Sequence, residues 1–332
     1  MRKIIFLLLL LDISTTAYNQ TIRGAIHDEL TRSPIHFSAI YFNGTFAGTH
    51  SDQNGYFELD ISKNISKPLT VSALGYYSIT VTDLVSDKFY RIYLTPKIFE
   101  LNEVIISAKG KGKARRERNA NLKSFRDDFL GTTFNAQKCK VTNENDITFK
   151  YDYNTDTLKA YSLKPILIEN GALGYRISYY LDKFESCKKD NYLLYSGSIV
   201  FREDLTANEN QKKRYERRRK IVYLGSRMHF FRSLWKNDLE SSGYSVLDST
   251  YKKLNYENFV TQSDTLARYI THYRKLFIAY YTKDPETSVM MVKDSVYFDR
   301  DGYFDAFGIR WNGEMAKYRI ADCLPFEYSI EY

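Results

Sequence analysis

The 332-residue sequence holds three cysteines, six prolines and five histidines, and no apolar run long enough to cross a membrane as a helix. Each shortage closes off a class of protein. Cys139, Cys187 and Cys323 are odd in number, so one internal bridge is the most they can form. No two lie near enough in sequence for a CxxC metal or redox site. A chain of this length builds core enough without disulfide staples. His27, His36, His50, His229 and His272 never begin HxxE or HExxH, which removes the usual ligand pair of a zinc peptidase. There is no GxSxG for a strained nucleophile elbow, and no GxxxxGKS or GxxxxGKT to cradle a phosphate. No catalytic, cofactor-binding or metal-ligating set is therefore assigned. The nearest approach to a nucleophile and base is Ser226 with His229, three residues apart on one expected helix, where packing is the better reading.

What is present is an ordered start. Met1-Arg2-Lys3 is basic, residues 4–11 are eight apolar residues in a row, and Ser14-Thr15-Thr16-Ala17 supplies small residues for cleavage after Ala17. That succession is a secretory signal, too short to span a bilayer, which takes about 20 apolar residues. The expectation is an exported chain, soluble once processed. The 16% aromatic share, with 29 tyrosines, favours strands, because flat rings pack well on a pleated surface. The length suggests two domains.

Residues 20–107 alternate as half-buried strands do. Ile22 and Ile26 share a face, as do Phe57, Leu59 and Ile61. Thr31-Arg32-Ser33-Pro34, Asn43-Gly44 and Asp52-Gln53-Asn54-Gly55 are turn chemistry. The spacing predicts about seven short strands, with Ile35-His36-Phe37-Ser38-Ala39 among them and residues 104–107 closing the set, in a β-sandwich.

Behind residue 107 the pattern changes. Lys109-Gly110-Lys111-Gly112-Lys113 reads as a basic linker over 108–114. A helix over 114–130 follows, with Leu122, Phe125, Phe129 and Leu130 on one face and Gly131 as its C-cap. Strands and an Asn154-Thr155-Asp156 hairpin come next, and residues 208–240 form a helical pair. The tail returns to strands, with Asn312-Gly313 as a turn. Asp299-Arg300-Asp301-Gly302 echoes the Asp52 hairpin; it lacks the twelfth-position Glu of a calcium loop, so a plain hairpin is expected. The fold class is thus mainly β with α: a seven-stranded sandwich (18–107), then an α+β domain (115–332) around a central helical pair.

The net charge of +8 is unevenly spread. Lys212, Lys213, Arg214, Arg217, Arg218, Arg219 and Lys220 crowd into nine positions against Glu216 alone. Clustered charge suggests an acidic partner. The run reads either as a solvated helix face paired with acidic neighbours or as a docking surface for an acidic protein or anionic surface glycan; nucleic acid is set aside because an exported chain rarely meets it.

Several pieces together resemble the carboxypeptidase regulatory-like (transthyretin-like) domain: Ile22-Arg23-Gly24, Ser33-Pro34-Ile35, Gly48-Thr49, Asp52-Gln53-Asn54-Gly55-Tyr56-Phe57, Leu74-Gly75-Tyr76 and Leu101-Asn102-Glu103-Val104-Ile105-Ile106. The resemblance implies a transthyretin-like or Ig-like sandwich that supports or binds rather than catalyses. It also implies the periplasm or outer-membrane surface of a Gram-negative bacterium. The back half is similar to the C-terminal part of exported carboxypeptidase-like regulatory domain-containing proteins. Phe129-Leu130-Gly131-Thr132-Thr133-Phe134-Asn135, Gly171-Ala172-Leu173-Gly174-Tyr175, Arg214-Tyr215-Glu216-Arg217 and Gly225-Ser226-Arg227-Met228-His229-Phe230-Phe231-Arg232 carry that likeness. It lends no catalytic residues. Two functions are expected in order: a non-enzymatic envelope binding module using the sandwich and the basic helix, and, as the alternative, a hydrolase of envelope polymers.

Overall fold

The computed structural model describes residues 20–65, 67–97, 111–203, 208–262, 268–271, 275–281 and 285–330. The expected signal segment, the closing strand expected at 104–107 and the first part of the expected linker lie outside them. The chain is mainly β with α, as its composition requires.

The front module has seven strands among the described residues: β1 (Thr21–Asp28), β2 (Ala39–Phe42), β3 (Gly48–His50), β4 (Tyr56–Asp60), β5 (Leu69–Ser72), β6 (Ile79–Val81) and β7 (Phe89–Leu94). They form two sheets, ordered β4-β1-β7 and β3-β2-β5-β6. Ile22, Ile26, Ile40, Phe42, Phe57, Leu59, Val71 and Ile92 fill the space between. The strand expected at 35–39 begins only at Ala39. Phe37 takes a positive φ of 55°, which no extended strand tolerates, and Ser38 turns inward to hydrogen-bond with Ser51 and Ile35.

In the back region α1 (Lys111–Phe129) starts inside the expected linker, so Lys111, Gly112 and Lys113 are helical. Phe125 and Phe129 stack 4.9 Å apart. They seat the helix on a six-stranded sheet of β8 (Cys139–Val141), β9 (Ile147–Asp152), β10 (Thr157–Ser162), β11 (Ile166–Asn170), β12 (Tyr175–Cys187) and β13 (Tyr192–Glu203). Next come α2 (Glu209–Tyr223) and α3 (Arg227–Trp235). β14 (Tyr244–Leu247), β15 (Val260–Gln262), β16 (Arg268–Ile270), β17 (Lys275–Tyr281), β18 (Pro285–Val292), β19 (Val296–Phe298), β20 (Ile309–Gly313) and the short α4 (Glu314–Lys317) complete the chain. The back region therefore has two cores. One lies under α1, and the other gathers on Phe230, Phe231 and Leu234 of α3, all completely buried. Asn312-Gly313 is not a hairpin: the pair ends β20, and Gly313 turns the chain into α4.

The expected turn at 52–55 is built as its residues suggest. The Asp52 carboxylate accepts the amides of Asn54 and Tyr56 at 2.8 Å, and Gly55 supplies the positive φ. Asp299 repeats this with Asp301 and Tyr303, and Gly302 takes the place of Gly55. This second turn also meets a cation, though not calcium: the Lys67 ammonium, 3% exposed, reaches across from the sandwich to Asp301.

That contact is one of several holding the two regions together. The turn after β2 lies along the free edge of β13. Gly44 N–H donates to Ile199 O (2.8 Å), Phe201 N–H to Thr45 O (3.3 Å), and Ile199 N–H to the Asn43 side chain (2.8 Å). Phe326 N–H closes the other side on Gly44 O. Gly44 has a φ of 77°, and a Cβ there would stand 2.5 Å from the Phe326 ring, so only glycine fits.

Removing the Lys67 charge should uncover this dependence. Lys67→Met leaves Asp299 and Asp301 side by side without a cation. The expected loss is roughly 3 kcal/mol, the low end for a buried pair because Asp301 keeps some solvent. Urea denaturation measures it, and an unchanged midpoint would show that the seam does not rest on this pair.

Candidate functional site

The basic segment forms a well-started helix. Asn208 caps α2 by accepting from Gln211 N–H, while the Gln211 side chain accepts from Asn208 N–H, a reciprocal capping box. The seven basic residues then separate by face. Lys212, Lys213, Arg214, Arg217 and Lys220 are exposed, Arg218 is half-buried and Arg219 is buried. Lys212 pairs with Glu209. Among the described residues, Lys213, Arg214 and Arg217 have no carboxylate partner.

Arg219 must be removed from the surface set expected from sequence. Its guanidinium lies 4.1 Å over the Tyr175 ring and donates to Leu173 O and Glu203, both at 2.8 Å. Arg218 is a half-way case. It lies 4.0 Å over Phe134 and donates to Asn135 Oδ1 (3.1 Å), whose amide in turn donates to the buried Asp322. Thr133 also donates to Asp322, whose pKa burial raises. Gly174 completes the seat. Its φ is 72°, and a Cβ would meet the Tyr215 ring at 2.3 Å. The motifs singled out in the back half are thus mostly fastenings for α2 and the tail.

The Gly225–Arg232 motif is another fastening. Ser226 caps α3, its Oγ accepting from His229 N–H at 3.2 Å. Arg232 gives hydrogen bonds to three carbonyls, those of Asp301, Phe326 and Tyr328. His229 is 8% exposed, and its Nδ1 accepts from Gly225 N–H (3.3 Å) beside the Tyr244 hydroxyl (3.1 Å). Burial, helped by Arg232 and Lys236, pushes its pKa down to about 4. A neutral ring held between tyrosines, with Ser226 occupied as a cap, is structural.

Two of the thiols are equally quiet. All three cysteines are free. Burial pushes Cys139 up to about 12 and Cys323 up to about 11, leaving neither a thiolate near neutral pH. Among the described residues no group of three or more His, Cys, Asp or Glu is placed to hold a metal, and no helix is long and apolar enough to cross a membrane.

Two concavities stand out among the described residues. The smaller, about 400 Å³, lies by Arg126 and Glu144, which neutralise one another in an ion pair. The larger, about 740 Å³, opens between the sandwich strands β2 and β3 and the outer face of β11, β12 and β13. Sequence reading missed it, because its walls come from segments more than a hundred residues apart.

The fold thus defines a class: a β-sandwich module joined to a two-core α+β region. The sandwich can be named more closely, since residues 22–106 match the family model of the CarboxypepD_reg-like domain. The front module is such a domain. No curated protein matches the chain. Among solved structures, similarity extends to an interface mutant of a type II cohesin–X-dockerin complex from Acetivibrio cellulolyticus, at 17% identity over 23% of this chain with a TM-score of 0.19. The chain spans 56% of that protein's length. A candidate carbohydrate binding protein from Bacteroides uniformis is 11% identical over 56% of this chain and 79% of its own, TM-score 0.19. A candidate membrane-associated protein of unknown function from Bacteroides fragilis is 10% identical over 89% of this chain and 97% of its own, also 0.19. Similarities this slight support no inference about fold or function.

Two outcomes test the division made here. Arg219→Ala should cost about 2–3 kcal/mol, since it strips a ring contact and charge-assisted hydrogen bonds from a buried site. Lys213→Ala should stay within about 0.5 kcal/mol; equal losses in a melting comparison would refute the assignment of faces. For His229, the unfolded ring titrates at 6.5 and the folded one near 4, so the unfolded state takes up the proton first. Stability is complete above pH 6.5 and falls by roughly 3 kcal/mol as pH drops toward 4. His229→Asn should flatten that stretch of the pH–stability curve; an unchanged slope would remove His229 as its source.

Proposed function

We propose that this chain is a non-enzymatic binding module of the bacterial envelope, which docks an acidic protein partner through the exposed face of α2. One observation carries the reading. Lys213, Arg214 and Arg217 are exposed and have no carboxylate partner among the described residues, on a helix that Arg218, Arg219 and Tyr215 hold in place. A cationic face that is already rigid loses little entropy on binding and steers an anionic partner from a distance. The non-catalytic character of the CarboxypepD_reg-like domain supports the same reading. An acidic surface glycan is the other ligand such a face would hold.

The test is retention of envelope proteins by immobilised residues 18–332, set beside a Lys213→Glu/Arg214→Glu/Arg217→Glu variant. Arg218 and Arg219 are left intact so that the fold is untouched. A defined protein held by the native chain, released by salt and absent from the variant is the expected result. The same protein held equally by both would sink the α2 reading. Loss of binding by an acidic glycan in place of a protein would change the partner's class.

A further inference from the structure

The sandwich sheet that faces the back region stops short of the surface beneath it. Tyr41 of β2 stacks on Tyr180 of β12 at 5.3 Å, so β2 lies over the outer face of the six-stranded sheet. β3 is the end strand of the order β3-β2-β5-β6, and among the described residues it pairs with β2 alone. In the sheet beneath, β11 follows β12, and its register sets Leu167 opposite Ser178 on the cleft side. Leu167 is 40% exposed and lines the cleft together with Gly48, Thr49 and His50. The cleft is thus bounded by an open strand edge above and an uncovered stretch of sheet below.

The bonds of β3 define what that edge still lacks. Phe42 N–H donates to Ala47 O (3.0 Å) and Ser51 N–H to Ser38 O (2.9 Å). Between those two bonds, the alternation of an antiparallel ladder gives Thr49 the bonds to Ile40. Gly48 and His50 therefore turn their amides and carbonyls away from β2. Among the described residues no hydrogen bond reaches these groups. Each residue offers one donor and one acceptor. The sets repeat about 7 Å apart, which is the repeat of another extended polypeptide.

A single added strand fits the space. It would lie about 4.8 Å from β3, in the plane of the sandwich sheet. Packed sheets stand about 10 Å apart, so its downward side chains would reach the face of β11. Leu167 gives an apolar side chain there a surface to cover, and the cleft's volume of about 740 Å³ is that of a ligand site.

We infer that the cleft is a strand-addition groove, which takes an extended peptide segment of a partner protein onto Gly48 and His50 and lays one of its apolar side chains on Leu167. In pairing of this kind main-chain hydrogen bonds supply affinity, and the side chains beneath supply selectivity. The assignment rests on backbone groups and not on the charged residues of the cleft floor. The groove is separate from the exposed face of α2 and does not rest on the docking reading.

Selection of a random library of peptides about ten residues long, enough to overrun the edge, against residues 18–332 tests this. An enriched peptide should slow hydrogen exchange at the amides of Gly48 and His50, which exchange fast in the unliganded chain. His50→Pro removes one outward amide without touching a bond to β2, a change that edge strands tolerate. It should weaken the peptide about tenfold, the effect of one hydrogen bond left unmade. His50→Ala keeps the amide and should bind as the native chain does. The exchange measurement uses the native chain, so it decides the matter even where His50→Pro does not fold. The Lys213→Glu/Arg214→Glu/Arg217→Glu chain should bind the peptide equally, which separates this groove from α2. Gly48 and His50 amides already protected without peptide, no enriched peptide, enriched peptides that protect other residues only, or equal binding by a folded His50→Pro chain would each overturn the assignment.

Discussion

Everything positioned in this protein depends on how the last strand of the six-stranded sheet, β13, is finished. An edge strand presents unpaired amides and carbonyls, an open template for another chain. Here the turn Asn43-Gly44-Thr45 of the sandwich covers part of that edge by backbone pairing at Ile199 and Phe201. The pairing brings β2 and β3 over the outer face of β12 and creates a cleft where two separate domains would have none. It also brings Lys67 to Asp301 and Phe326 to Gly44. A flexible tether between the regions would have left each of these groups in water.

Arginine does much of the fastening, and it does so through geometry more than charge. Arg232 satisfies three carbonyls that would otherwise be stranded in the tail, and Arg227 a fourth at Tyr318. Arg219 fills space over Tyr175 as well as donating hydrogen bonds. A planar fork of donors can meet several acceptors in one plane, which an ammonium cannot. Basic residues recur in these motifs because irregular backbone needs donors, so a high count of them says little by itself about partners.

Much of the fold was legible in the sequence where the determining physics is local. The Asp52 and Asp299 turns, the cap of α1 at Gly131 and the helical pair at 209–235 each follow from residues within a few positions of one another. The sandwich followed from alternation together with a set of turns. Local chemistry misled at Asn312-Gly313, where the same dipeptide that makes a hairpin instead releases the chain into a helix. The strand expected at 35–39 failed because Phe37 takes a positive φ, and the Ser38 amide donates to the Ser51 hydroxyl across the hairpin. The basic run was visible as a cluster, yet nothing within it distinguishes Arg219 from Arg217; Gly174, Tyr175 and Glu203 decide that from other segments. The cleft was illegible altogether, since its two walls meet only through contacts such as Asn43 with Ile199, 156 residues apart.

The surface helix and the cleft are linked through one residue. Glu203 follows Arg202 at the end of β13. Alternation along β13 turns the two side chains to opposite faces, and Arg219 then fixes Glu203 on the α2 side. The clamp that seats the helix therefore also fixes a carboxylate that borders the cleft. Loss of Arg219 would loosen α2 and free the Glu203 carboxylate. A buried guanidinium thus fastens two surfaces while belonging to neither, which is why its role emerges from the packing around it and not from the basic run in which it sits.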